Sequence, residues 1–347
     1  MEEGSNPIEA GKDTPESSDS FRTLLGPLLL LTVLFFINFI ARVVYAPLLP
    51  EIEKDLDITH SEAGSLFFLI SIGYFIALLA SGWIAAQLNH RKTITLSSIV
   101  LGLTLIGTAF SQNLWMIRSG LFFLGMAAGL YLPSGIATLT NLISARHWGK
   151  AIAVHELAPN LGFVVAPVLS ELIMMWLSWR GVLVLFGVAS IFAGVVFFRF
   201  GRGGEFTGTA PSVRSIKYFL GKPSFWIMVV LFGLGISSTL GIYAMLPLFL
   251  VTTHTIDRNF ANTLVALSRL SGLFMALAGG WATDRYGPVR TMVVVFLLTG
   301  INTIVLGAAS STWVILFVFI QPLLAVCFFP AGFAALSRIG PPDARNI

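Results

Sequence analysis

The sequence predicts an all-α, polytopic membrane protein assembled from two related helical halves. Three observations carry that prediction. Of its 347 residues, 56% are hydrophobic and only 11% charged, with a mean hydropathy of +0.85, which is more apolar surface than a soluble globule can bury. Apolar runs of about eighteen or more residues recur, each long enough to cross a hydrocarbon layer about 30 Å thick at about 1.5 Å per residue. The chain also repeats itself at an offset of about 198 residues. Ser81-Gly82-Trp83 matches Gly279-Gly280-Trp281, Trp115 matches Trp313, and Leu132-Pro133-Ser134-Gly135 matches Phe329-Pro330-Ala331-Gly332.

Residues 1–22 come first, a tail carrying Glu2, Glu3, Glu9, Asp13, Glu16 and Asp19 among Ser, Gly and Pro. Its low apolarity predicts disorder, and its acidity is wrong for the basic start of a cleaved signal. Ten membrane spans are then expected, at about 23–47, 63–87, 93–111, 114–141, 150–176, 181–199, 224–250, 259–283, 291–309 and 312–337. The linker 200–223, with Gly201, Gly203, Gly204, Gly208 and Pro211, is the one long polar connection. It divides a six-helix half, 23–199, from a second half, 224–347, holding four spans. By symmetry the partners of spans five and six are expected after Ile347, so the sequence reads as C-terminally incomplete, with spans eleven and twelve beyond it.

The sequence pI of 9.4 reports topology and implies no nucleic-acid partner. Lys12, Arg22, Arg91, Lys92, Arg146, Lys150, Arg199, Arg202, Arg214, Lys217, Lys222, Arg285, Arg290, Arg338 and Arg345 fall in the tail, the alternate loops or the C-terminus. Lys54, Arg180 and Arg258 lie on the opposite side. The positive-inside rule then puts the N-terminus and the central loop in the cytoplasm of a cell (plasma or inner) membrane protein. The lone Cys327 excludes a disulfide framework and a cysteine metal site. No metal and no cofactor is expected.

Between spans eight and nine the chain reads Gly280-Trp281-Ala282-Thr283-Asp284-Arg285-Tyr286-Gly287-Pro288-Val289-Arg290. This resembles the signature loop of the major facilitator superfamily. Glycines there permit a sharp turn between packed helices, Asp284 can face a helix N-terminus, and the basic residues hold the headgroup zone. The counterpart in the first half, Gly82 to Lys92 with Arg91, departs from the pattern, with Ala86 for the Asp and Asn89 for the second Gly. Gly162 to Pro167 in span five, and Trp179-Arg180 before span six, also resemble the family. Gly125 and Gly129 in span four read as a close helix seam. The resemblance covers 23–337 and implies two pseudo-symmetric six-helix bundles around a midplane cavity, of which ten of twelve helices are present. It implies a secondary transporter working by alternating access; a monomer is expected.

Charge inside the hydrocarbon costs about 2.5 to 3.5 kcal/mol for an arginine at a helix centre, so each case calls for a reason. Arg269 lies near the middle of span eight and Arg42 in the outer part of span one. One arginine from each half suggests a two-sided clamp for an anion, since a guanidinium donates parallel hydrogen bonds to carboxylate or nitrate. The family resemblance adds that an Arg in span eight occurs in members moving small anions. Asn38, Tyr45, Tyr74 and Tyr243 are further cavity-lining candidates. Glu156, His155 and Arg118 are the proton-coupling candidates; burial would raise the glutamate into the working range, and Arg118 matches the family's span-four arginine. Gly82, Arg91, Gly280, Asp284, Arg285, Gly287 and Arg290 form the gating loops.

The reading is therefore a transporter of a small organic anion, a mono- or dicarboxylate, by proton symport or exchange, and not an enzyme. Its partners are that small molecule and the lipid bilayer. An efflux porter of the same superfamily is the alternative, and would call for an acidic cavity residue. A membrane enzyme using His155 and Glu156 belongs to another class; Pro159 occupies the place of the second His in a zinc-protease motif. A transporter-like sensor would carry an appended domain. No Gly-x-x-x-x-Gly-Lys-Ser/Thr phosphate loop is present, which speaks against an ATP-driven pump in this chain.

Overall fold

The computed structural model describes residues 24–144, 148–210, 217, 220–310 and 312–336. The expectations about the tail, about most of 211–219 and about everything after 336 lie outside those residues. All regular structure among the described residues is helical. In chain order the helices are α1 (Leu25–Val43), α2 (Tyr45–Leu56), α3 (His60–Leu88), α4 (His90–Ala109), α5 (Leu114–Gly129), α6 (Tyr131–Leu142), α7 (Trp148–Met174) and α8 (Trp179–Phe200). Then come α9 (Pro223–Ile236), a π-helical turn (Ser237–Gly241), α10 (Ile242–Thr252), α11 (Arg258–Tyr286), α12 (Pro288–Ala308), α13 (Val314–Ala325) and α14 (Phe328–Leu336).

Nine helical segments among these residues are long and apolar enough to cross a membrane. The expected span 259–283 folds as α11, 29 residues long, and is not one of the nine. The first span runs past its expected end at 47. Val44 keeps helical angles between α1 and α2, Pro50 is absorbed, and the helix stops only where Asp57 turns left-handed. The added turns carry Glu51, Glu53, Lys54 and Asp55, so the chain stays helical where it leaves the apolar layer.

The repeat is visible in the element boundaries. Helices α3 and α11 are both 29 residues long and begin at His60 and Arg258; α4 and α12 begin at His90 and Pro288. Asn89 and Gly287 hold the same place in the turn, with φ of 72° and 84°. Glycine adopts such angles freely and asparagine more readily than most residues. The Asn89 side chain further accepts from the Lys92 N–H at 2.9 Å and caps α4. The glycines expected to bend these loops, Gly82 and Gly280, instead lie inside α3 and α11. The turn itself needs only Asn89 and Gly287.

Small residues set the tightest seam, between α3 and α5. A Cβ on Gly125 would lie 2.1 Å from the Ile70 carbonyl oxygen, and one on Gly129 would lie 2.4 Å from that of Tyr74. Helix α8 packs on α4 in the same way, with Gly102 against the Gly187 backbone. In the second half the corresponding face of α12, with Val293, Phe296, Leu297, Gly300 and Ile304, lines an open apolar groove of about 570 Å³ beside α9.

The loops sort onto two ends. One, the basic end, carries Arg91, Lys92, Arg202, Arg285 and Arg290; the other, the acidic end, carries Asp55, Asp57, Asp257 and the α7–α8 turn. The largest core includes Tyr45, Leu48, Leu49 and Leu66 of the first half with Leu246, Leu250, Ala261 and Val265 of the second. Toward the basic end the cores part. One contains only first-half residues, among them Leu28, Leu31, Tyr131 and Ala158, and the other only second-half residues, such as Met292, Val295 and Phe328. The halves are thus joined at the acidic end and separate at the basic end.

Candidate anion site between the two halves

Arg269, on α11, is 8% exposed. Its guanidinium carbon lies 4.3 Å from the centre of the Phe163 ring and 4.9 Å from that of Tyr243. One terminal nitrogen donates to the Thr239 carbonyl at 2.8 Å, and the other, Nη1, is buried without a hydrogen-bond partner. Arg42, at the end of α1, is half-buried over the rings of Tyr74 at 4.4 Å and Phe39 at 5.0 Å. Its Nε is likewise buried and unpartnered. The rings of Phe39 and Phe163 meet edge to face at 4.9 Å. A continuous run of contacts, Arg42 to Phe39 to Phe163 to Arg269, therefore crosses from one half to the other.

These positions follow from local folding. Gly162 leaves room for the Phe39 ring, which would be 2.6 Å from a Cβ there. The Tyr243 hydroxyl donates to the Phe163 carbonyl at 3.2 Å, tying α10 to α7. The π-helical turn widens the helix between α9 and α10, and such turns free carbonyls from the regular ladder. Side chains take them up: Arg269 at Thr239, and Gln321 Nε2 at Ser238, 3.2 Å away. Gln321 Oε1 accepts from Asn302 Nδ2 at 2.6 Å, and Gln321 Nε2 also donates to Thr303 Oγ1 at 3.1 Å. Sequence reasoning missed this amide pair and the bridging phenylalanines. Two amides in strongly apolar spans were the available signal, because buried amides require partners.

The other candidates are dispersed. Asn38 is buried and donates to the Ala128 carbonyl at 3.2 Å, joining α1 to α5. Tyr45 is fully enclosed in the core shared by both halves. Arg118 lies away from the arginine pair, in a groove of about 450 Å³ on the outside of α3 and α5, where it donates to Ser65 Oγ at 3.1 Å and lies over Trp115. His155 is fully buried, whereas the Glu156 side chain is 48% exposed, so the glutamate is not buried as expected. Asp284 is exposed and faces no helix N-terminus among the described contacts; Arg285 lies over Trp281 and Tyr286, and Arg290 is exposed. Arg91 pairs with Glu205 at 2.5 Å and donates to the Phe198 carbonyl, within its own half. Among the described residues no group of three or more His, Cys, Asp or Glu could hold a metal ion.

At the acidic end a polar cluster joins the halves. Arg258 of α11 pairs with Glu51 of α2 at 2.6 Å and with Glu171 of α7 at 3.2 Å. Asn262 donates to Glu171 at 2.6 Å and to the Pro47 carbonyl at 3.3 Å. Nearby, Trp179 and Arg180 both bond Asp55, and Arg180 also reaches the Ser111 carbonyl, which ties α8 to α2 within the first half.

A family model described as the Major Facilitator Superfamily matches residues 31–346. The membrane sensor protein UhpC of Salmonella typhimurium is 23% identical over 82% of this chain and 69% of its own length. A probable nitrate transporter, NarT of Staphylococcus epidermidis, is 26% identical over 87% of this chain and 77% of its own. Among solved structures, a bacterial homolog of the human lysosomal transporter Spinster superposes with a TM-score of 0.77 at 16% identity, covering 95% of this chain and 78% of that one.

Proposed function

This chain belongs to the Major Facilitator Superfamily, and on that premise we propose that it carries a small organic anion, a mono- or dicarboxylate, across the cell membrane by proton symport or exchange. The observation that supports this most is the pair of arginines from opposite halves, each with a buried nitrogen lacking a partner and each held by ring faces instead of a carboxylate. A guanidinium over an aromatic face keeps its charge and its remaining N–H groups, so an anion entering the cleft meets two unneutralised cations. Binding would neutralise both and remove the cost of closing the halves over them.

Charge placement orients the cycle. With the basic end cytoplasmic, the parted cores give a cleft open to the cytoplasm, and the Arg258 cluster closes the outer face. The nitrate in the name of one relative is, like a single carboxylate group, a small planar oxyanion. The relative named a membrane sensor suggests a second reading, in which the same anion site signals instead of translocating.

Counterflow of labelled lactate, oxalate, nitrate and a dicarboxylate in vesicles tests the reading. Arg269→Ala is expected to lower exchange of the accepted anion at least about tenfold, since losing one partner of a buried charge contact costs about 2 to 5 kcal/mol. Arg269→Lys is expected to restore little, because an ammonium does not reproduce the planar fork. Exchange of all four anions that is absent, or indifferent to Arg269, overturns the assignment.

A further inference from the structure

His155 has a hydrogen-bond arrangement that fixes where its next proton goes. The ring is 0% exposed, packed face to face on Phe35 at 4.4 Å. Tyr131 Oη donates to the Leu31 carbonyl at 2.7 Å, which uses its only proton. Toward His155 Nε2, 3.2 Å away, the phenol oxygen is therefore an acceptor, and Nε2 carries the imidazole hydrogen. That leaves the lone pair on Nδ1, which is buried without a hydrogen-bond partner and lies 3.6 Å from Glu156 Oε1. Two acceptors facing each other at that distance repel; a proton on Nδ1 turns the same geometry into an attractive, charge-assisted contact.

Glu156 connects this buried atom to the cleft. Its side chain is 48% exposed and lies seven residues, two helical turns or about 10 Å, before Phe163 on the same face of α7. Phe163 is the ring against Arg269 and Tyr243. Among the described residues, the titratable groups against the ring are Tyr131 from α6 and Glu156 from α7. Helix α1 offers Leu31 and Phe35 there. From α11, Arg269 lies against Phe163 on this face of α7, while Glu51 of α2 and Glu171 are engaged with Arg258 at the far end.

We propose that His155 is a proton-carrying site of the transport cycle: Nδ1 takes one proton from the cleft by way of Glu156, and Tyr131 is the positioning residue that keeps that nitrogen free. This rests on the symport branch of the proposed function. Closing the basic end brings the second half over Glu156, and an unpaired carboxylate resists leaving water. With imidazolium beside it the pair is neutral, so each closure of the basic end takes one proton onto Nδ1, and that proton leaves through Glu156 into the central cavity once the cavity has opened on the opposite face.

The test needs no substrate. In the full chain in nanodiscs, spin labels at Lys92 and Val289 report the separation of the halves at the basic end between about pH 8 and about pH 5.5. Acidification is expected to shorten that distance in the otherwise unaltered protein. His155→Gln should hold the open distance at every pH, and Glu156→Gln the short distance at every pH, so the two substitutions act with opposite sign. Nitrogen NMR of labelled histidine should find hydrogen on Nε2 alone at high pH, with that preference lost in Tyr131→Phe, whichever variant folds less well. A pH-dependent distance that survives in His155→Gln, or hydrogen on Nδ1 at high pH, overturns the proposal. Loss of anion exchange in Arg269→Ala with these results negative would remove the proton site and leave the anion site standing.

Discussion

At Gly125 a hydrogen atom is all that the space permits, because a Cβ there would stand 2.1 Å from the Ile70 carbonyl oxygen. Any larger side chain must push α5 away from α3, and overpacking of this kind costs about 1 to 3 kcal/mol or more. Gly125→Leu is therefore expected to lower the thermal unfolding midpoint of the detergent-solubilised protein by several degrees. An unchanged midpoint would mean that the two helices do not approach so closely. The arginines make a complementary point. Their depth could be read from position alone, because a charged residue inside a long apolar run is conspicuous. Of their ring partners, Tyr74 and Tyr243 were among the expected cavity-lining residues, but Phe39 and Phe163 could not be picked out, because phenylalanine is the expected residue at almost any lipid-facing or core position until the helices are packed.

Among the elements, the π-helical turn Ser237–Gly241 has the clearest consequence. It directs the Ser238 and Thr239 carbonyls at Gln321 and Arg269, so the guanidinium is oriented by a local departure from regular helix. Gln321→Leu removes the donor at Ser238 and leaves Asn302 without its 2.6 Å acceptor. Weaker anion binding is expected, seen as a KM raised several-fold with the maximal exchange rate less affected; equal effects on both would assign Gln321 to general stability instead. Helix existence was legible in the sequence because apolar runs of membrane length have few other interpretations. The repeat was legible because its markers, Gly-Trp and Pro-x-Gly, are distinctive. Nothing in the sequence announced the π turn, which depends on packing against α11 and α13, or the extension of α1 into α2 past the expected end at 47. The gating glycines Gly82 and Gly280 were misplaced because glycine serves close packing and sharp turning alike.

For the whole molecule, the Arg258 cluster is the chief polar connection between the halves at the acidic end. Its ion-paired members Arg258, Glu51 and Glu171 are between 12% and 40% exposed, so each pair is modest alone, but Glu51, Glu171 and the buried Asn262 converge on one another through Arg258 and the Pro47 carbonyl. Arg258→Ala leaves two carboxylates facing an apolar seam. It is expected to shift the population toward an opened acidic end, measured as faster thiol labelling of a cysteine at Ala261 from the side opposite the basic loops. Raising salt should move the unaltered protein the same way to a smaller degree, since the screening length falls to about 3 Å at 1 M. Labelling that is unaffected by either change would mean that the apolar core alone keeps this end shut. A seam that is joined at one margin and parted at the other behaves as a fulcrum. Pivoting by about 10° over a lever the thickness of the hydrocarbon layer, about 30 Å, moves the far margin by roughly 5 Å while the residues beside the pivot hardly slide. Small adjustments where the ion pairs sit are thereby amplified into a displacement comparable with the width of a small solute.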